Sequence, residues 1–162
     1  MIPVDVLGVR VELPTNQPIV VLRERTGDRY LPIWIGAPEA SAIAYAQQGV
    51  TPPRPLTHDL IGLLLDSLGH TLEAVQIDAL RDKVFYATLV IDGKRIECRP
   101  SDAIAVALRT QTPISVAEAV LDEAGIAMAP EQDDEVERFR EFLDQVSPED
   151  FEAAEGEGPP ES

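Results

Sequence analysis

From Val4 to Leu13 the valines at 4, 6, 9 and 11 stand among polar residues, a spacing that predicts a strand. Pro14 to Pro18 reads as a turn, Ile19 to Arg25 as a second strand, and Thr26-Gly27-Asp28 as the close of a hairpin. Tyr30 to Ile35 is a third strand, stopped by Gly36. Pro38 suits the first turn of a helix, whose alanine-rich run ends at Gly49. Three prolines between Val50 and Pro55 exclude helix there. Thr57 is placed to cap a helix running to Gly69, with Asp59 in its first turn. Leu60, Ile61, Leu63, Leu64, Leu65 and Leu68 give that helix an apolar face so broad that a central, buried position is expected. Thr71 to Leu80, Val84 to Ile91 and Lys94 to Arg99 read as three more strands, the last two joined by the hairpin signal Asp92-Gly93. Ser101 is expected to cap a nearly all-apolar helix over Asp102 to Arg109. A short strand at Ile114 to Val116 and a helix from Ala117 to Ala124 complete the pattern.

Beyond Pro130 the texture changes. Val136, Phe139, Phe142 and Leu143 recur at helical spacing within Asp134 to Gln145, which predicts an amphipathic helix, and Ser147 to Asp150 starts a further turn. Glu155 to Ser162 is mostly Gly, Pro and Glu, a composition that cannot build a core and is expected to be disordered. Charge divides the chain at the same place. The net charge is −16, and residues 131–162 carry 13 acids against Arg138 and Arg140, or −11. Residues 1–130 are left with 16 acids and 11 bases, or −5. We therefore expect one α/β domain over residues 1–130 and an acidic tail over 131–162. A body at −5 does not have the basic balance usual in nucleic-acid binders. The single cysteine, Cys98, rules out an intrachain disulfide. The N-terminus lacks a signal-peptide pattern and no apolar run is long enough to span a bilayer, so a cytoplasmic location without membrane association is expected.

No Gly-rich phosphate loop, paired CxxC, HExxH or GxSxG occurs. Three clusters carry candidate chemistry. Leu31 to Ala40 places Glu39 in a first helical turn directly after a strand; it is either a dipole-satisfying carboxylate or a metal ligand or base. Arg54-Pro55-Leu56-Thr57-His58-Asp59 brings a guanidinium, an imidazole and a carboxylate to a helix N-terminus. Arg99-Pro100-Ser101-Asp102 repeats that logic. In both, one reading is a capped helix with an internal Arg–Asp pair. The other is an anion site, because helix N-termini offer free N–H groups and Arg adds bidentate phosphate contacts. Asp78 and Asp82 near a strand end are further oxygen donors, or simply solvated acids.

In combination, the motifs PIWIG..EA, RPLTHDL, D..FYA and RPSDAIA.A resemble the bifunctional nuclease family of bacteria and plants, in family order over roughly residues 1–127. The resemblance implies a mixed, largely antiparallel sheet with packed helices, self-association with a dimer favoured, and hydrolysis of DNA and RNA. Glu39, Arg54, His58, Asp59, Arg99, Ser101 and Asp102 match motif positions. On chemical grounds we assign Glu39, Asp59 and Asp102 to a Mg²⁺ or Mn²⁺ ion. His58 is assigned to acid–base catalysis, with Arg54, Arg99 and Ser101 binding the phosphate. The alternative is a non-catalytic dimeric scaffold whose acidic tail docks a basic partner.

Overall fold

A computed structural model describes residues 1–127. The expected helix at 134–145, the turn at 147–150 and the disordered end at 155–162 lie outside the described residues. Eight strands and four helices follow in the order β1 (Ile2–Glu12), β2 (Gln17–Glu24), β3 (Arg29–Trp34), α1 (Ala37–Gln47), α2 (Thr57–Ser67), β4 (Leu72–Arg81), β5 (Val84–Ile91), β6 (Lys94–Cys98), α3 (Pro100–Thr110), β7 (Ile114–Val116), α4 (Glu118–Ala124) and β8 (Ile126–Ala127). The strands form one mixed sheet in the order β6-β5-β4-β7-β1-β2-β3-β8. Every pairing is antiparallel except β4 with β7. The mixed, largely antiparallel sheet expected from the family resemblance is therefore what the chain forms.

Local chemistry explains the element ends. Gly69, at φ +73, closes α2: the His70 amide reaches back to Leu65 O at 2.8 Å. This is a left-handed helix stop that glycine adopts without steric cost. Pro100 opens α3 at a position where no N–H is needed. In β1 the register shifts between Val6 and Gly8, with Gly8 at φ 147. Such bulges bend a strand and increase its twist, and β4 carries two more such shifts. The end of β3 and the β4–β5 turn both line one groove.

The core lies between the sheet and two helices. Val20, Leu22, Leu31, Val75, Ile77 and Val116 from the strands meet Ile43 of α1 and Ile104 of α3, all essentially without solvent contact. Each such side chain contributes about 1.5–3 kcal/mol on burial. Alanines 40, 42 and 44 of α1 and 103, 105 and 107 of α3 are also buried, and their small size lets the two helices pack closely.

Two expectations need correction. The helix starts are capped one or two residues earlier than expected: Leu56, not Thr57, precedes α2, and Arg99, not Ser101, precedes α3. Ser101 is instead buried in the first turn of α3. More important, α2 is not central. Its main helix partner is α3, and Leu60, Leu63, Leu64 and Leu68 are 49–67% exposed. The breadth of its apolar face does not specify where the covering surface comes from, and within this chain only one side is covered.

Candidate active site

Three helix N-termini supply the site. Glu39 is in the first turn of α1, His58 in the first turn of α2, and Arg99 and Asp102 flank the start of α3. Tertiary packing joins them into a continuous chain of contacts. His58 Nε2 lies 2.8 Å from Asp102 Oδ1. Arg99 Nε donates to Asp102 Oδ2 at 2.9 Å, and its Nη2 pairs with Glu39 Oε1 at 2.6 Å. Glu39 and His58 are buried, whereas the Arg99 side chain is 66% exposed. The cluster thus has a fixed inner wall and one cation facing solvent. Each helix end adds a partial positive charge of roughly half a unit, which together with Arg99 offsets the carboxylates of Glu39 and Asp102.

Gly36 makes room for this arrangement. A Cβ at that position would stand 3.0 Å from Glu39 Oε2, against a carboxylate that Arg99 already holds. Burial pushes the Asp102 carboxyl up, but the hydrogen bonds from His58 and Arg99 outweigh it and hold the group below the usual aspartate range. The same bond from Asp102 raises Arg99 further above its ordinary value. Burial moves the nearby Cys98 thiol up to about 11, with Asp102, Asp78 and Glu97 adding to the shift. Cys98 is therefore a protonated, poorly nucleophilic thiol at neutral pH.

Not every expected residue joins the cluster. Asp59 accepts from the Leu56 amide at 2.9 Å and pairs with Arg109 Nε at 2.6 Å. Burial opposes its ionisation, and these two bonds win, so it too stays below the normal range. Arg54 is exposed and forms no ion pair among the described residues, so the expected Arg54–Asp59 pair is replaced by Arg109–Asp59. Asp78 is bound to Thr88 and Arg95 on β5 and β6, away from Glu39. Arg109 escaped the sequence reading because its partner is 50 residues distant, and no local pattern announces such a pair.

The carboxylates expected to share an ion do not converge. Glu39 and Asp102 are bridged by Arg99, and Asp59 is engaged elsewhere. Among the described residues no three His, Cys, Asp or Glu side chains come together so as to hold a metal ion. The donor set as placed does not fit the expected Mg²⁺ or Mn²⁺ centre.

Taken together, the mixed sheet and the His–Asp–Arg–Glu cluster at three helix starts define an α/β domain with a polar, charged site. The bifunctional nuclease domain model matches residues 20–129, more than half of the chain, and the chain belongs to that family. It is 56% identical over 160 residues to an uncharacterized protein of Mycobacterium tuberculosis (strain H37Rv), covering 93% of this chain and 98% of the relative. It is also similar to two rice proteins. Bifunctional nuclease 1 of Oryza sativa subsp. indica is 25% identical over 118 residues, covering 68% of this chain. Bifunctional nuclease 2 of subsp. japonica is 27% identical over 117 residues, covering 67%. These matches span only 35–36% of the rice proteins. No helix among the described residues is long and apolar enough to cross a membrane.

Proposed function

We propose that this protein is a nuclease that hydrolyses phosphodiester bonds in DNA or RNA, with His58, Asp102, Arg99 and Glu39 as its working site. The observation that carries the proposal is the unbroken contact chain from His58 through Asp102 and Arg99 to Glu39, set at three helix N-termini. Membership of the bifunctional nuclease family supports it. In this reading Asp102 accepts a hydrogen bond from His58 Nε2–H, which leaves Nδ1 as the base for an attacking water. Nδ1 takes one proton from the attacking water as its oxygen bonds to phosphorus, and that proton passes from Nδ1 to the leaving oxygen as the P–O bond breaks. Arg99, held by two carboxylates, presents its Nη1 group to the phosphate and stabilises charge developing in the transition state. Glu39 is a positioning residue acting through Arg99. Ser101 faces the adjoining groove and contributes a hydroxyl to the substrate path. Arg54 and Asp59 belong to the outer reach of the same helix start, Arg54 as a solvent-facing phosphate contact. Among the described residues no three carboxylate, His or Cys side chains converge to hold a resident Mg²⁺ or Mn²⁺, so either metal is supplied in the assay.

The test is a cleavage assay of the full chain on single-stranded DNA, duplex DNA and RNA, with Mg²⁺, with Mn²⁺ and with chelator, alongside His58→Ala. Loss of the acid–base group should cost on the order of 10²–10⁴-fold in rate. Undiminished cleavage by His58→Ala would remove this site from the mechanism. A second reading, self-association, is favoured by a separate observation: the half-exposed leucines of α2. The family's expected dimer would use that face, on a nuclease or on a non-catalytic scaffold whose acidic tail docks a basic partner.

A further inference from the structure

Beside the cluster runs a groove of about 370 Å³, at the small end of ligand pockets, which span about 300–1,000 Å³. Trp34 at the end of β3, Gly36, Lys83 in the β4–β5 turn, Phe85, Arg99 and Ser101 line it. We propose that this groove is a base-stacking subsite for one nucleotide of a single-stranded nucleic acid, with Trp34 as the stacking platform and Lys83 and Arg99 flanking the backbone phosphate. The proposal rests on the nuclease reading and deepens it.

Four observations converge on that occupant. Trp34 is 54% exposed, a large aromatic surface left in water. Its indole N–H donates to Glu12 Oε2 at 3.0 Å, which holds the ring in one orientation. Lys83 forms no ion pair among the described residues, and it sits at φ +66 after Asp82 at φ +50. A lysine in that left-handed conformation costs roughly 1 kcal/mol or more. The neighbouring hairpin avoids the cost by placing Gly93 at the equivalent point after Asp92. The β4–β5 turn instead points a free cation at the groove. Finally, Arg99 belongs to both the groove and the cluster, so a strand whose scissile phosphate meets Arg99 and His58 has its next nucleotide in reach of Trp34. The pairing of aromatic face and cations matches single strands, whose unpaired bases stack on such platforms with little regard for sequence. A duplex keeps its bases stacked internally and would have to flip one out to fill the groove.

Trp34 is the only tryptophan in the chain, so tryptophan emission excited selectively at long wavelength reports on this groove. The experiment titrates the full chain with a short oligodeoxythymidine and with a duplex of matched length, following tryptophan emission and, in parallel, the anisotropy of labelled oligonucleotide. We expect quenching by the single strand and little by the duplex. Trp34→Ala should weaken single-strand binding by roughly 5- to 150-fold, Trp34→Phe should recover most of it, and Lys83→Gln should weaken it and flatten its salt dependence. Circular dichroism confirms that the variants are folded. Anisotropy showing tight single-strand binding with unchanged emission, or undiminished binding by Trp34→Ala, would overturn the subsite and leave the nuclease reading standing. Absence of both binding and cleavage would overturn both.

Discussion

Asp102 accepts hydrogen bonds from His58 on one carboxylate oxygen and from Arg99 on the other, and this double engagement sets its charge state. Its pKa in the folded protein lies below the ordinary 3.8. A carboxyl with a depressed folded value stabilises the fold above its unfolded pKa, and that contribution fades as pH falls through the folded value. Asp102→Asn should therefore be less stable than the native protein at neutral pH by about 1–2 kcal/mol, discounted for partial exposure. Urea midpoints should show the gap closing as pH drops below 3.8. A gap that persists unchanged in acid would mean that packing, not charge, is what the substitution removes. At this scale the sequence was informative about residue type and helix position. Glu39, His58 and Asp102 all fall in first helical turns, as expected, although the caps themselves lie one or two residues earlier, which makes Arg99 the cap of α3. Which of them meet was not legible. His58 and Asp59 are neighbours in the chain, yet successive helical residues point about 100° apart. One side chain therefore reaches the start of α3 while the other is taken by Arg109.

At the scale of elements, alternation and turn residues located β1 to β7 and all four helices within a few residues. Asp92-Gly93 and the glycine stops at 49 and 69 act locally, so local sequence is enough to place them. The two-residue β8 carries no such signal; it exists because it pairs with Arg29 and Tyr30 at the edge of β3. Helix α2 shows the limit of periodicity more sharply. Its leucines predicted burial, and the chain leaves Leu60, Leu63 and Leu64 about half exposed and Leu68 more so. Contiguous exposed apolar surface of that kind marks association sites. Leu60→Glu with Leu64→Glu should shift the protein toward monomer in sedimentation equilibrium. The effect on the urea midpoint of the monomer should be modest, since about half of each side chain already lies in water within the chain. If the native protein is already monomeric across the accessible concentration range, α2 is not a self-association face.

At the scale of the whole molecule, charge is the governing quantity. On the proposed function the described body attracts a polyanion with a formal charge near −5, while residues 131–162 add −11. Three helix N-termini and the exposed Arg99, Lys83 and Arg54 are positive features that the total charge conceals. On that same reading the −11 of residues 131–162 opposes association with a polyanion. Removing residues 131–162 should therefore raise the affinity for single-stranded oligonucleotide at low ionic strength. The gain should shrink near 0.15 M salt, where screening acts over about 8 Å. Equal affinities at both salt concentrations would show that the tail carries no electrostatic control over the site.

All of this depends on His58 and Asp102 working as one unit, and a double-mutant cycle on cleavage rate measures that directly. Groups that act together are non-additive: once His58 is gone, its partner has little left to contribute. Single-turnover cleavage by His58→Ala, Asp102→Asn and the double variant should show the double losing about as much as His58→Ala alone. Losses that multiply, with the double variant slower by the product of the two single effects, would contradict a shared catalytic dyad.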